Sequence, residues 1–397
     1  MSYQIKSLSN RLIFNKYKVI KRIGKGSFGY VYLVRYNNKH YAMKFEDTEK
    51  GYYILEKEYY LMDYLYGPRI PYIKGYGQYG KFNVLIMEIL GKSLEDILEI
   101  LPNKKMSIQC VCKLAYQMIQ ILEHIHKKYF VHRDIKPSNF IMGIGPNSKF
   151  VYIIDLGFAK TYKNPKTLEH VPLTKGGITG TSRYASINAL KGYTQSRRDD
   201  LESLAYSIIH LSTGTLPWIN IKRNDKDSLN KEILRVKEES SSKSLCVGLP
   251  PQFENFVDYV RNMNFEQEPD YKYLKNLFLN ALLVNGGKMD YAYDWENNIN
   301  DENLLPIIKN NNINNNYFNY NIEDNKCISI EKIFNSEDIL KKKYEYQKNF
   351  SIKAGIYIDN EINQSGIEPF PMEIQSLEES QKKQRLKEPG CNCCLII

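Results

Sequence analysis

The sequence lacks the features of secreted and of membrane-spanning proteins. Its 397 residues contain no apolar run of the roughly 18 or more residues that a membrane-spanning helix requires. The seven cysteines do not suggest a disulfide framework, and none is spaced with histidines as a zinc site would need. Without a signal-peptide pattern, we expect reduced thiols, a cytosolic compartment and only peripheral attachment to membranes.

The composition divides the chain into a part that can fold and a part that cannot. Hydrophobic residues make up 43% of the sequence, which is enough for a large core. After residue 297 asparagine dominates, and such low-complexity sequence buries too little apolar surface to pack. We predict an N-terminal extension over 1–11, a folded domain over 12–297, an asparagine-rich linker with a charged tail over 298–390, and a cysteine-rich terminus over 391–397. Within the domain, Ser107–Lys128 has the apolar period of a buried helix.

The most informative motif is His132–Asn139, which reads His-Arg-Asp-Ile-Lys-Pro-Ser-Asn and is followed by Asp155 in Asp-Leu-Gly. Phosphoryl transfer requires a carboxylate that orients the accepting hydroxyl, cations that reach the phosphates, and oxygen ligands for magnesium. Asp134 is the predicted catalytic carboxylate, and Lys136 is the cation beside it. Asn139 and Asp155 are the predicted metal ligands. A bare His-Arg-Asp triplet would more often be an ordinary basic turn, but the complete spacing favours phosphoryl transfer.

A glycine-rich segment lies upstream, between the strand-like runs Tyr17–Ile23 and Tyr30–Val34. The residues predicted to lie over the nucleotide are Ile23, Gly24, Lys25, Gly26, Ser27, Phe28, Gly29 and Val31. The spacing predicts that the glycines occupy a hairpin turn, where backbone N–H groups can approach phosphates closely. Alone, this motif is equally typical of an ordinary hairpin. No helix-like run follows it immediately, which argues against a dinucleotide-binding turn.

Lys44 lies in the apolar strand-like run His40–Glu46, where a lysine is costly to bury unless an acidic partner accompanies it. We expect that partner on the following helix, predicted over Tyr53–Tyr66. Glu58 is the better candidate and Glu56 is the alternative. The pair would hold the ammonium group toward the α- and β-phosphates of a nucleotide. In isolation, Lys44 would more often be an ordinary strand lysine that extends into solvent.

Beyond these motifs, five longer segments are distinctive in their residue sequences and in their order along the chain. They are Leu90–Asp96, Lys136–Phe140, Gly180–Asn188, Gln195–Leu204 and Leu216–Trp218. With them, the chain resembles the casein kinase I family of serine/threonine kinases over about residues 12–297. The resemblance implies an α+β, bilobal protein kinase fold: a small strand-rich N-terminal lobe, a larger mainly helical C-terminal lobe and a flexible C-terminal tail. It also implies a monomer that transfers the γ-phosphoryl group of ATP to serine or threonine with Mg²⁺, and we expect no nucleic-acid partner.

The resemblance assigns roles to further residues. It implies that Met87 closes the back of the adenine pocket and that the hinge Glu88–Leu90 binds adenine through its backbone. Asp200 would be a buried aspartate that tethers the catalytic loop, and a solvated position in its charged run is the alternative. Leu156 and Phe158 are exchanged relative to the family pattern. Since the middle residue of that triplet serves apolar packing, leucine should preserve catalysis.

Substrate preference is also implied by the resemblance. In this family a basic groove recognises phosphate or acidic side chains a few residues before the target serine or threonine. Arg183 matches one contributor, and Lys222 and Lys226 lie near others. A further family lysine falls at Leu229, so the preference for pre-phosphorylated substrates should be weaker; a solvated basic face is the alternative. The formal net charge of +10 and the pI of about 8.9 suit both acidic substrates and anionic lipid.

The chain ends in Cys-Asn-Cys-Cys-Leu-Ile-Ile. Cys394, followed by two aliphatic residues and one final residue, fits a prenylation box, while Cys391 and Cys393 are palmitoylation candidates. The basic run Lys382–Lys387 adds attraction to an anionic membrane surface, because one lipid chain alone binds only marginally. The alternatives are an unmodified apolar terminus and palmitoylation without prenylation. We predict attachment to the cytosolic face of a membrane, with the plasma membrane favoured.

Two functions of different classes follow. The first is a membrane-tethered serine/threonine kinase that acts on protein substrates with acidic or phosphorylated residues upstream of the target. The second is a catalytically silent kinase fold that serves as a membrane scaffold. A scaffold would need a lesion among the predicted catalytic residues, which are Lys44, Asp134, Asn139 and Asp155, and all four are present. Only Leu156 supports the scaffold.

Overall fold

The fold is described from a computed structural model, which covers residues 8, 10–25, 29–51, 54–164 and 167–296. This part of the chain forms a strand-rich N-terminal lobe followed by a mainly helical C-terminal lobe, as the resemblance implied. No helix within these residues is long and apolar enough to cross a membrane.

The N-terminal lobe is built on one curled antiparallel sheet. Its strands are β1 (Leu12–Ile13), β2 (Tyr17–Lys25), β3 (Gly29–Tyr36), β4 (Lys39–Asp47), β5 (Ile73–Tyr79) and β6 (Phe82–Glu88). Their order across the sheet is β1-β2-β3-β4-β6-β5. Helix α1 (Ile54–Tyr64) connects β4 to β5 and packs beside the sheet. The strands and the helix expected around Lys44 are therefore confirmed.

A two-residue turn fixes the register of β3 and β4. Tyr36 pairs with Lys39, and the intervening Asn37 and Asn38 have positive φ values of 46° and 58°. This is the type I′ geometry that matches the twist of a hairpin, and asparagine tolerates it better than most residues. The register then continues along both strands to the pair Gly29–Glu46.

The alternation of β4 decides which side chains face the cleft between the lobes. Met43 and Phe45 belong to a hydrophobic cluster on one face of the sheet. Ala42 belongs to the larger cluster on the other face, which continues into the C-terminal lobe. Because side chains alternate along a strand, Lys44 shares the face of Ala42 and points toward the catalytic machinery.

The C-terminal lobe surrounds two central helices, α3 and α5. Its helices are α2 (Leu94–Ile100), α3 (Ile108–Lys127), α4 (Ile187–Leu190), α5 (Arg197–Thr213), α6 (Lys226–Glu239), α7 (Ser242–Leu245), α8 (Pro251–Arg261) and α9 (Tyr271–Val284). Short strands β7 (Phe130–Val131) and β10 (Lys160–Thr161) pair with each other, as do β8 (Phe140–Met142) and β9 (Val151–Ile153). The buried helix expected from the period of Ser107–Lys128 is confirmed as α3, with Ser107 as its N-cap.

The glycine-rich segment differs from the expected hairpin turn. Gly24 and Gly29 lie within β2 and β3, so neither is a turn residue. A Cβ at Gly29 would lie 1.7 Å from the carbonyl oxygen of Phe45, whereas one at Gly24 would make only an ordinary contact with Val31. Close packing against β4 therefore requires glycine at position 29, independently of any nucleotide.

The residues that follow α9 fold back on α3 as a strap, which comprises residues 288–296. Lys113 is buried in α3, and its Nζ donates hydrogen bonds to Asp290 Oδ1 and Ala292 O, both at 2.7 Å. The N-cap Ser107 donates from its backbone N and its Oγ to the carboxylate of Asp294. The strap thus satisfies a buried cation and the first turn of a central helix.

We expect Trp295→Ala to lower the free energy of unfolding by about 3–5 kcal/mol. Trp295 is only 2% exposed and stacks on Tyr293 with ring centroids 4.7 Å apart. Removing the indole would leave a cavity beside Tyr293, whose hydroxyl accepts a hydrogen bond from Gln117 on α3. Denaturant unfolding measures the change, with the 79% exposed Val284→Ala as the control. A cost no larger than that of the control would mean that the strap is not part of the cooperative fold.

Candidate active site

The catalytic loop between β7 and β8 is tethered by one carboxylate. Asp200, on α5, is 1% exposed and accepts hydrogen bonds from the backbone N of His132 at 2.7 Å and of Arg133 at 2.8 Å. His126 Nε2 lies 3.0 Å from the same carboxylate. Burial opposes ionisation, but these contacts hold the pKa of Asp200 below its ordinary value. Asp200 therefore occupies a buried tethering position rather than a solvated one.

The carboxylate of Asp134 is held by donors on both oxygens. Thr181 donates to Oδ1 from its backbone N at 2.9 Å and from its Oγ1 at 2.8 Å. Lys136 Nζ lies 2.7 Å from Oδ2 and 3.0 Å from Thr181 Oγ1. Asn139 Nδ2 donates to the backbone oxygen of Asp134 at 2.8 Å. The predicted carboxylate, cation and amide thus form one network.

Thr181 was not predicted as part of this site, because its partner lies 47 residues away in sequence. Its position depends on Gly180, whose φ of +99° few side chains could adopt. A Cβ at Gly180 would also lie 2.5 Å from the backbone oxygen of Arg133. The Gly-Thr dipeptide was the available signal: glycine permits the close approach, and threonine supplies the hydroxyl.

Lys44 bridges two carboxylates in the cleft. Its Nζ lies 2.6 Å from Glu58 Oε2 on α1 and 3.1 Å from Asp155 Oδ1. Burial disfavours the ammonium form, but the two carboxylates outweigh it and raise the pKa of Lys44. Lys44 chiefly lowers the pKa of Asp155, while burial raises that of Glu58. The predicted Lys44–Glu58 contact is present, and Glu58 rather than Glu56 makes it.

The two predicted metal ligands lie at the same end of the β8–β9 hairpin. Phe140 pairs with Ile153, and the backbone N of Ile154 donates to Asn139 O at 3.0 Å. Asn139 therefore faces the start of the segment that carries Asp155. Since Asn139 Nδ2 is used by Asp134 O, its amide oxygen is the atom left to accept or to coordinate. Asp155 has a left-handed φ of 66°, a conformation often found at functional sites.

The segment after Asp155 is held by cations from both lobes. Leu156 is 1% exposed and belongs to the larger hydrophobic cluster, so leucine does serve apolar packing here. Lys57 Nζ, from α1, donates to Ala159 O at 2.7 Å and to Gly157 O at 3.4 Å. Arg133 Nε donates to the intervening carbonyl of Phe158 at 2.7 Å. Three consecutive carbonyls are therefore fixed relative to α1 and the catalytic loop.

We expect Lys57→Met to lower kcat about 10-fold or more, because it removes charge-assisted hydrogen bonds that position the segment carrying Asp155. Lys57→Arg should retain most of the activity, since a guanidinium can donate to the same carbonyls. Steady-state kinetics with varied nucleotide would measure the effect, with the exposed Lys50→Met as control. If Lys57→Met matched the control, the bond to Ala159 would have no catalytic consequence.

The same lysine predicts a pH dependence of stability. Lys57 is exposed as a residue, but its ammonium group is partly buried, and this burial, with Arg133 and Lys160 nearby, lowers its pKa to about 8. The unfolded chain, with an ordinary value of 10.5, binds more protons between these limits. The contribution of Lys57 to the free energy of unfolding should therefore rise with pH from about 8 to 10.5, and this rise should be absent in Lys57→Met.

The predicted nucleotide cleft lies between the sheet and the hinge. Ile23 and Val31 are half-buried and pack against the larger cluster from the sheet side, and Met87 is buried at the end of β6. Glu88 accepts a hydrogen bond from the backbone N of Tyr72 at 2.7 Å, so its side chain is used within the N-terminal lobe. Three of the predicted nucleotide-contacting residues lie outside the described part of the chain: Gly26, Ser27 and Phe28.

The segment that follows Thr181 is pinned through its carbonyls. Lys237 Nζ, on α6, donates to Ser182 O at 3.0 Å and to Ala185 O at 2.6 Å. Trp218 Nε1 donates to Arg183 O at 2.7 Å. Each of these donors comes from a buried side chain of the C-terminal lobe. The backbone that positions Thr181 and Arg183 is therefore held by side chains of the C-terminal lobe.

Lys237 is a fully buried lysine that the sequence analysis missed. Its Nζ lies 4.5 Å from the ring centroid of Tyr206 and 4.9 Å from that of Trp218. Burial lowers the pKa of Lys237, and the carboxylate of Glu202 opposes that shift. A signal was available, because Asn230, Ile233 and Lys237 recur at the buried spacing of one helix face.

The predicted substrate-contacting cations lie on the surface beyond this segment. Arg183 is exposed, as are Lys222 and Lys226, and the last of these begins α6. Leu229, at the position of the missing lysine, is partly buried and packs against the larger cluster. The lipidation candidates Cys391, Cys393 and Cys394 lie outside the described residues.

A family model of the protein kinase domain matches residues 17–274 of the chain. The match begins with β2, includes the catalytic loop and α5, and ends within α9, before the strap. It covers more than half of the 397 residues. The chain therefore belongs to the protein kinase family.

Proposed function

We propose that this protein kinase is a serine/threonine kinase of casein kinase I type that transfers the γ-phosphoryl group of ATP. The observation that carries the proposal is the convergence of two charged networks on one cleft: Lys44 with Glu58 and Asp155, and Asp134 with Lys136. The family match supports phosphoryl transfer. The finer assignment to serine and threonine rests on the resemblance of segments such as Gly180–Asn188.

In the proposed reaction, Asp134 orients the hydroxyl of the substrate and accepts its proton as the oxygen bonds to the γ-phosphorus. The bond between the γ-phosphorus and the β-phosphate oxygen breaks, and ADP leaves. Lys136, beside Asp134, would neutralise charge on the transferring group. Lys44 would hold the α- and β-phosphates, since Glu58 fixes its ammonium group at the cleft.

The donor set fits a magnesium ion accompanied by a nucleotide. Mg²⁺ in phosphate-binding sites is typically held by one or two carboxylates together with phosphate oxygens. Asp155 would supply a carboxylate and Asn139 an amide oxygen from the same end of one hairpin. When bound, the ion would neutralise the charge of the phosphates. Lys44 would then exchange part of its contact with Asp155 for contact with the phosphates.

Peptide phosphorylation tests the proposed specificity. We expect faster transfer to a serine peptide with an acidic or phosphorylated residue three positions upstream than to a neutral peptide. Arg183→Gln should reduce this preference without abolishing transfer, because Arg183 is exposed and the side-chain donors to Asp134 are Thr181 and Lys136 instead. Lys243→Gln, an exposed lysine on α7, is the matched control. Equal rates on both peptides would retain the kinase and reject the basic groove around Arg183, Lys222 and Lys226.

Membrane tethering by the C-terminal cysteines is the remaining part of the proposal. Prenylation of Cys394, with palmitoylation of Cys391 or Cys393 and the basic run Lys382–Lys387, would supply the several signals that stable attachment needs. We expect the unmodified chain to fractionate with membranes and Cys394→Ser to become largely soluble. Soluble behaviour of both proteins would reject the lipid anchor, whatever their kinase activity.

A further inference from the structure

The positive charge of the chain is concentrated at its beginning. The first 45 residues contain ten lysines and arginines and no aspartate or glutamate, and Glu46 is the first acidic residue. The other 352 residues contain 45 basic and 45 acidic residues. The whole formal charge of +10 therefore belongs to these 45 residues, far from the substrate-contacting cations in α6 and its preceding loop. The excess of basic residues is therefore confined to the N-terminal part of the chain and is not spread along its length.

In the fold, these cations lie on adjacent strands at one edge of the N-terminal sheet. Strands β1, β2, β3 and β4 are consecutive neighbours in the sheet order. The exposed or half-exposed cations on them and their turns are Arg11, Lys16, Lys18, Lys21, Arg22, Lys25, Arg35 and Lys39. We call these residues the basic strand edge. With a rise of about 3.3 Å per residue and about 4.8 Å between strands, this part of the sheet is about 30 Å long and 15 Å wide.

Two of the cations oppose each other directly. The register pairs Lys18 with Arg35 and also with Leu12, so the three side chains emerge on the same side of β1, β2 and β3. All three are exposed, Leu12 by 53%. In the described part of the chain, neither Lys18 nor Arg35 takes part in an ion pair, whereas Lys44 and Asp47 of the neighbouring β4 do.

The cross-strand pair of Lys18 and Arg35 does not stabilise the fold. Like charges directly opposite each other destabilise a sheet, and an anionic partner removes that penalty. Of the ten cations, Lys44 and the predicted nucleotide-contacting Lys25 have roles in the proposed chemistry, and the others have none there. The basic strand edge therefore calls for a binding explanation.

We propose that the basic strand edge docks the kinase onto an anionic lipid surface. Each lysine or arginine near such a surface contributes about 1 kcal/mol of attraction, and the effect acts over about one Debye length. Lys18 and Arg35 share one face of the strands and Arg22 lies on the other, so the cations of this edge act together through their common edge. Exposed Leu12 beside Lys18 offers an apolar side chain to the interface. Which membrane the kinase docks onto in the cell rests on the proposed tethering by the C-terminal cysteines. The attraction of the basic strand edge to anionic lipid is independent of that tethering.

Single-stranded nucleic acid fits this surface less well. Its binding sites interleave cations with exposed aromatic side chains on which bases stack. Here Tyr17 and Tyr32 are buried, at 3% and 5% exposed, and Tyr30 and Tyr36 are partly buried. Lys16 and Arg22 cover tyrosine rings from the outside, with Lys16 Nζ 5.2 Å from the ring centroid of Tyr17. The outer side therefore presents charge rather than aromatic faces.

Vesicle flotation of the full chain, produced without lipid modification, tests the proposal. The test variant combines Arg11→Gln, Lys18→Gln and Arg35→Gln. The matched control combines Lys243→Gln, Lys272→Gln and Lys288→Gln, three exposed cations of the C-terminal lobe. Each protein is mixed with vesicles of phosphatidylcholine alone or with added phosphatidylserine, at low and high salt.

We expect the original chain to float with phosphatidylserine vesicles and to be released by salt. The test variant should bind about 100-fold more weakly, at about 5-fold for each charge, and the control should lose much less. Transfer to a soluble peptide should be equal in all three proteins, and the test variant should be no less heat-stable, because a repulsive pair has been removed.

Three outcomes would overturn the proposal. They are no binding of the original chain to phosphatidylserine vesicles, equal losses in test variant and control, and a test variant that keeps vesicle binding but loses binding to an RNA homopolymer. The last would assign the basic strand edge to nucleic acid. Because no protein in this experiment carries a lipid, its result is separate from that of Cys394→Ser fractionation, and the peptide assay is separate from both.

Discussion

Asp134→Asn should lower the kcat of phosphate transfer by about 10²–10⁴-fold. The carboxylate has two oxygens in use: Oδ1 accepts from Thr181 and Oδ2 contacts Lys136. An amide would place an NH₂ group against one of these donors and could not accept the proton of the substrate hydroxyl. Single-turnover transfer from MgATP to a serine peptide would measure the loss.

Nucleotide binding is the necessary companion measurement. Asp134 does not contact Lys44, so the affinity for ATP should remain within a few-fold of the original value. Asp63→Asn makes the same chemical change at an exposed position near the end of α1 and should leave transfer unchanged. Transfer at the normal rate by Asp134→Asn would reject its catalytic role. Absence of transfer by the original chain, with ATP bound, would favour the scaffold.

Lys237→Met should cost about 2–5 kcal/mol of unfolding free energy and raise the KM for the peptide more than the KM for ATP. The substitution removes both hydrogen bonds to Ser182 O and Ala185 O, and it removes the positive charge that interacts with the buried carboxylate of Glu202. The freed segment also carries Arg183. The loss should therefore appear on the substrate side of the cleft.

The same helix supplies the control. Lys231 is exposed on α6, and Lys231→Met should leave both quantities nearly unchanged. Denaturant unfolding would measure the change in the free energy of unfolding. Kinetics with the peptide and ATP varied in turn would give the two KM values separately. Should the variant lose stability while both KM values stay constant, Lys237 would be a structural residue without influence on substrate positioning.

The local elements were predictable because their signals are local. Strands β2, β3 and β4 follow β-branched and aromatic residues, and α3 follows an apolar helical period. The glycine-rich turn was placed too broadly, since Gly24 and Gly29 lie inside strands. What a glycine is needed for depends on its neighbour across the sheet, here Phe45, and the sequence around it does not name that neighbour.

By itself, the sequence determined which chemical groups the site contains. His132–Asn139 and Asp155 are close together along the chain, so their spacing already limits how they meet. It also restricted the choice of partner for Lys44 to two glutamates on one predicted helix. A buried lysine requires an acidic partner, and this requirement can be inferred from the residue types alone.

Only the tertiary structure decided how those groups are held. Thr181 reaches Asp134 across 47 residues, Lys57 reaches Ala159 across 102, and Lys237 reaches Ala185 across 52. Each is a hydrogen bond between distant segments, and its existence depends on the packing of whole elements, which no local pattern encodes. The like-charged pair of Lys18 and Arg35 is another case, because strand register alone brings the two side chains together.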